Sequence, residues 1–185
     1  MAGGDVPGSP LRSLASARRV WIVGGPGCGK STLAAALADR AGLSPVTLDA
    51  LYWGPGWAPV ETEEFRARIE KELAAGHWVV DGQFPDAVDA FADRADCVVW
   101  VDPPLAVAWP RLLRRTLRRW IRREELWGGV RETFWSVVGP RSILWYALKV
   151  RRAQQAANQE LFDRLGDADV LLVRARGGNV RSLLK

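Results

Sequence analysis

Residues 19–42 read RVWIVGGPGCGKSTLAAALADRAG. The apolar run Val20 to Val23 meets a glycine-rich turn, and the stretch 31–41 behind it is rich in helix formers and stops at Gly42. The order is strand, loop, helix. Gly24 to Ser31 fills the eight-position pattern G-x-x-x-x-G-K-[ST] in the strand-to-helix context its chemistry requires. Glycines let such a loop curl so that successive backbone N–H groups converge on an anion, and the positive end of the following helix adds attraction. Gly24, Gly25, Pro26, Gly27, Cys28, Gly29, Lys30, Ser31 and Thr32 are the expected cradle for the phosphates of ATP. Lys30 would bridge the β- and γ-phosphates, and the Ser31 hydroxyl would ligate Mg²⁺. A plain βα turn has no use for Lys and Ser at these offsets. Cys28 is expected to matter through its backbone N–H and not its thiol, with a reactive thiol beside Lys30 and a helix N-terminus as the alternative.

The same alternation continues beyond the loop. Residues 46–49 (VTLD), 78–81 (WVVD), 97–102 (CVVWVD) and 170–173 (VLLV) read as short strands, the middle two ending in Asp81 and Asp102. Residues 61–75, with Phe65, Ile69 and Leu73 spaced by four and Gly76 as a stop, form an amphipathic helix. Helical patterns also cover 105–123 and, after Gly139-Pro140, 142–165, while the Gly-, Pro- and Trp-rich residues 52–59 read as a loop. Short apolar strands alternating with helices predict an α/β fold with a mostly parallel sheet covered on both faces.

At 185 residues, 48% hydrophobic and 25% charged, the chain suits one globular domain, here 18–185, behind a leader at 1–17 expected to lack fixed structure. No apolar run approaches the ~18–20 residues needed to cross a membrane, and the leader lacks the apolar stretch of a secretory signal. Two cysteines make no disulfide framework, so a reducing cytoplasm is expected. The net charge is +5, yet residues 111–123 hold seven arginines and no acid, so the charge outside that segment is +5 − 7 = −2. Basicity this local points to a specific anionic ligand or contact face.

The loop, the segment Leu48-Asp49-Ala50-Leu51-Tyr52-Trp53 with Pro55-Gly56-Trp57, then Trp78 to Gly82 and Ala95 to Asp102, together resemble the adenylate-kinase-like P-loop kinases. Among these they are most similar to the bacterial family often labelled topology modulation protein. The likeness runs from about Arg18 to the C-terminus. It implies a three-layer nucleotide-kinase-like fold with a five-stranded parallel sheet in the order 2-3-1-4-5, an acceptor-binding segment after strand 2 and a basic helical lid over about 105–150.

Asp81, ending an apolar strand and matching the Asp-Gly of adenylate kinases, suits a second Mg²⁺ position held through water. A strand-ending aspartate also serves as a turn or cap, and Asp102 reads that way more readily. Asp49 stands where related small-molecule kinases keep a carboxylate that orients or deprotonates an acceptor hydroxyl, with a cap or turn as the alternative. Tyr52, Trp53 and Trp57 could stack on a flat ligand, although ten tryptophans in one domain must mostly be packing residues. The seven arginines fall at alternating steps of three and one, on one broad helix face, with Leu113, Leu117, Trp120 and Ile121 along much of the other. The resemblance makes Arg111 and Arg115, then Arg119 and Arg122, the contacts to the adenine and the transferring phosphate, and Arg174, with the loop to Gly178, a border of the adenine. A solvated face paired with acids such as Glu124 is the alternative. The Thr-Gly-acid and arginine that hold the AMP phosphate in adenylate kinases have no counterpart after strand 2, and Asp81 to Asp86 lacks the arginine expected after its proline. The lone His77 reads as a turn or solvent residue.

The expectation is an ATP- and Mg²⁺-dependent phosphotransferase acting on a nucleotide, nucleoside or other small hydroxylated acceptor, in which lid closure excludes water. The competing expectation is a nucleotide-regulated protein whose arginine helix binds nucleic acid. No feature of the sequence sets the oligomeric state.

Overall fold

The architecture follows from where the apolar strands end. In the computed structural model, which describes residues 14, 16–124, 139, 142–177 and 183, five strands form one sheet. They are β1 (Arg19–Val23), β2 (Ser44–Thr47), β3 (Trp78–Asp81), β4 (Cys97–Val101) and β5 (Leu171–Ala175). All pair in parallel in the order β2-β3-β1-β4-β5, the order expected from the resemblance. The helices are α1 (Lys30–Ala41), α2 (Leu48–Tyr52), α3 (Thr62–Leu73), α4 (Pro85–Phe91), α5 (Leu105–Arg122) and α6 (Ile143–Leu165).

β1 lies at the centre of the sheet, and Val20 to Val23 are fully buried on both faces, which explains why the strand reads as an unbroken apolar run. Its alternation divides the core. Trp21 and Val23 pack with Val80, Val98 and Trp100 against Phe65 and Ile69 of α3, Phe91 of α4, and Leu161 and Leu165 of α6. Val20 and Ile22 face Leu33 and Leu37 of α1 with Val79 and Val99. The Trp21 and Trp78 rings meet edge to face at 6.2 Å, and Trp21 Nε1 donates to the Gly82 carbonyl at 3.3 Å, pinning the backbone beyond Asp81.

Several boundaries depart from the sequence reading. Pairing of β2 with β3 ends at Thr47↔Asp81, and the chain turns directly into α2, so Asp49 sits in the first turn of a helix and not at a strand end. β5 extends to Ala175 because Trp100↔Arg174 and Val101↔Ala175 continue its pairing with β4, so Arg174 is a strand residue. The loop 52–59 is partly ordered by an antiparallel bridge between Trp53 and Pro59. Leu14, within the expected leader, is buried beside the α1 core; the leader's residues 1–13 and 15 lie outside the described residues. So do lid residues 125–138, 140 and 141, and Gly178 of the expected adenine border.

Candidate functional site

The glycine-rich loop joins β1 to α1 at the carboxyl edge of the sheet, where ligands of open parallel sheets gather. Gly24, at φ 143°, allows the turn out of β1; a Cβ there would meet the Val101 carbonyl at 2.3 Å. Gly27, at φ 75°, lies against α5, where a Cβ would meet the Ala108 carbonyl at 2.5 Å. The loop is thus wedged between the end of β4 and α5, and no side chain caps the amides that open α1. Lys30 Nζ donates to the Gly25 carbonyl at 3.2 Å, while Ser31 and Thr32 are exposed. Cys28 is buried, with its sulfur 3.0 Å from where a Gly24 Cβ would stand. A buried thiol lacks the access a reactive cysteine needs, which counts against the reactive-thiol alternative.

Asp81, last in β3, is 8% exposed and, among the described residues, its carboxylate makes no hydrogen bond or ion pair. The half-buried Asp49 faces the same edge. Burial pushes its carboxyl up from the ordinary 3.8; the charge of Lys30 pulls it down, Asp81 pushes up again, and Arg115 and Arg119 pull down, with the balance upward. Lys30, Asp49, Asp81, Arg115 and Arg119 therefore share one electrostatic neighbourhood. Arg111 and Arg122 are exposed. The buried line of α5 is Ala108, Leu112 and Thr116, not the side carrying Leu113, Leu117, Trp120 and Ile121, which runs from half-buried to 70% exposed at Ile121. The loop approaches α5 at Ala108 and Leu112, where the small side chain of Ala108 suits the contact. Arg118 and Arg119 also approach Glu124, at 3.6 and 4.0 Å.

A hard cation that keeps most of its water needs few protein ligands, commonly a hydroxyl or a carboxylate or two with substrate phosphate oxygens. Ser31 and the unengaged Asp81 fit Mg²⁺ on that ground. No cage of three or more His, Cys, Asp or Glu occurs among the described residues. His77 is exposed in the turn before β3, in keeping with its sequence reading.

Arg174 is committed elsewhere. Its Nη2 donates to Asp102 Oδ2 at 2.9 Å, its Nη1 donates to Gln159 Oε1 at 3.3 Å, and its guanidinium lies 3.6 Å from the centre of the Trp100 ring. Asp102 also receives Gln155 Nε2 at 3.0 Å and lies 3.6 Å from Arg151, whose Nη2 donates to the Pro103 carbonyl at 3.0 Å. Burial pushes the Asp102 carboxyl up, but hydrogen bonds from Arg174 and Gln155 and the two arginine charges outweigh it and hold the group below 3.8.

Sequence reasoning missed one set of residues. Asn158, 2% exposed, donates from Nδ2 to Gln83 Oε1 at 3.3 Å, and the same oxygen accepts the Gly24 N–H at 3.0 Å. Gln154 Oε1 is buried without a donor, 3.1 Å from where a Cβ on Gly25 would stand. Residues 151, 154, 155 and 158 recur at i, i+3, i+4 and i+7, a period that a search restricted to apolar residues passes over. No family model matches this chain, and no curated protein matches it.

Proposed function

We propose that the chain is an ATP- and Mg²⁺-dependent phosphotransferase acting on a nucleotide, nucleoside or other small hydroxylated acceptor. One observation carries the reading: at the edge of a parallel sheet that holds the loop, Asp49 feels the charges of Lys30, Asp81, Arg115 and Arg119. These are the parts that phosphoryl transfer uses, since the reaction needs positioning and charge stabilisation more than covalent chemistry. The loop amides and Lys30 would hold the donor phosphates. Ser31 and Asp81 would hold Mg²⁺, which neutralises phosphate charge when bound. Asp49 would orient the acceptor hydroxyl and take up its proton; a carboxylate whose pKa is raised by burial is a better base than an exposed one. Arg115 and Arg119, turned toward this group, would offset charge on the transferring phosphoryl group. The half-burial of these two and their pull on Asp49 favour this reading over a nucleic-acid-binding face. No described helix is long and apolar enough to cross a membrane, and a cytoplasmic location belongs to the same proposal.

The test is release of ADP from Mg-ATP across nucleosides, nucleoside monophosphates and hydroxylated metabolites, with Lys30→Ala as the blank. Acceptor-dependent release in the parent protein and none in the variant, at an unchanged melting temperature, is the expected result. Equal activity in the variant would sink the assignment.

A further inference from the structure

The loop after α2 holds a tryptophan where a glycine would be at ease. Pro55, Gly56, Trp57 and Ala58 make a tight turn, with the Ala58 N–H donating to the Pro55 carbonyl at 3.4 Å and left-handed φ at both central residues, 68° at Gly56 and 63° at Trp57. The second central position of such a mirror-image turn favours glycine, because a Cβ crowds the following carbonyl. Among the described residues only Trp57 and Arg123 are non-glycine residues with positive φ. The turn is held by its surroundings: Gly54 N–H donates to the Ala58 carbonyl at 2.8 Å, Val60 N–H donates to the Tyr52 carbonyl at 3.0 Å, and Trp53 bridges Pro59.

Burial does not account for the tryptophan. Trp57 is 42% exposed, and its ring stacks on Trp53 at 5.2 Å and 28°. The ring series continues inward through Tyr52, which meets Trp53 at 4.8 Å, Phe65 at 5.2 Å and Phe84 at 4.5 Å. An exposed aromatic ring on a rigid base, held in an unfavourable backbone conformation, is the kind of outlier that marks a binding site. Asp49 stands one helical turn away, its carbonyl accepting the Trp53 N–H at 3.2 Å. The charged residues on the α3 side of the stack do not suit a phosphate. Glu61, Glu63 and Glu64 open α3, and Arg68 is engaged by the Leu51 carbonyl at 3.0 Å and by Glu64 at 2.5 Å.

We propose that the Trp53–Trp57 stack is the platform for a flat heteroaromatic ring on an unphosphorylated acceptor, a molecule of nucleoside class whose hydroxyl is presented to Asp49. This rests on the phosphotransferase reading for its chemistry but not for its binding. In the reaction, the acceptor oxygen bonds to the γ-phosphorus of ATP, the bond from that phosphorus to the oxygen bridging to ADP breaks, and the hydroxyl proton passes to the Asp49 carboxylate.

Calorimetric titration of the whole chain with adenosine, guanosine, cytidine and uridine tests the platform, with ribose and the 5′-monophosphates as comparisons. At least one nucleoside is expected to bind more tightly than ribose and than its own monophosphate. Trp57→Gly should loosen that nucleoside roughly tenfold, the scale of one lost base–aromatic stack, without lowering the melting temperature, because glycine suits the backbone. Trp57→Phe should restore most of the binding. No nucleoside binding, binding unchanged in Trp57→Gly, or ribose or a monophosphate binding as well as any nucleoside, overturns the proposal. ADP release separates it from the phosphotransferase reading. Nucleoside binding lost in Trp57→Gly with no turnover would keep the platform and refute the enzyme, whereas Lys30-dependent turnover indifferent to Trp57→Gly would keep the enzyme and refute the platform.

Discussion

Asp49 shows how burying one carboxyl can weaken a fold. Its carboxyl pKa is raised above the ordinary 3.8, chiefly by burial, so ionising it costs more in the folded chain than in the unfolded one. The fold accordingly loses stability as pH rises from 3.8 through the raised value, and the deficit persists at neutral pH. Asp49→Asn should therefore melt at a higher temperature than the parent at pH 7 and at the same temperature near pH 3. It should also lower turnover of a hydroxyl acceptor by about 100-fold or more, and the acid limb of the parent's pH–rate profile should disappear. A variant that loses stability at pH 7 would refute the assigned environment of Asp49. The presence of a carboxylate just after strand 2 was legible in the sequence. Its helical position and its neighbours were not, because both depend on where β2 stops pairing with β3 and on how far α5 leans over the loop.

At the scale of elements, α6 carries the main surprise. Its apolar positions Ala147, Leu161 and Leu165 are buried, but so is Asn158, and the side chains at 151, 154, 155 and 158 turn toward the loop and Asp102. α6 is thus tied to Gly24 through a single oxygen, Gln83 Oε1. Gln83→Met should orphan both the Gly24 N–H and the buried Asn158 amide, costing about 1–3 kcal/mol of stability, and should loosen Mg-ATP. Adding Asn158→Leu should recover part of the stability, because the Asn158 amide goes with its partner and only the Gly24 N–H stays unpaired. It should not recover nucleotide affinity, since Gly24 still lacks its acceptor. Thermal melts with Mg-ATP titrations on the two variants check this, and additive losses of stability would contradict it. In α5 the arginine spacing foretold a broad basic face. The choice of Arg115 and Arg119 as its inward members came from packing, because helix periodicity specifies faces and not which face a neighbour occupies.

Across the whole molecule, Asp102 joins β4 to β5 and α6 through Arg174, Gln155 and Arg151. With its pKa held below 3.8, it contributes stability that is present above 3.8 and is lost as pH falls through its lower folded value. Asp102→Asn should cost about 2 kcal/mol at pH 7, as expected for stranding partly buried partners, and the difference from the parent should vanish in acid. Melting curves from pH 7 down to pH 2 would show the two proteins converging; a constant gap would refute the role. By itself the sequence determined the strand–loop–helix unit at Gly24 to Ser31, the α/β class and the burial of β1, since these follow from local backbone chemistry and from apolar runs that must leave water. The tertiary structure decided what depends on contacts between residues distant along the chain. It assigned Arg174 to Asp102 and Trp100, set Gln83 and Asn158 behind the loop, and held Trp57 in a conformation its own backbone disfavours. Periodicity reports which way a side chain faces on its own element, whereas these partners were selected by the register of the strands and the packing of the helices against them.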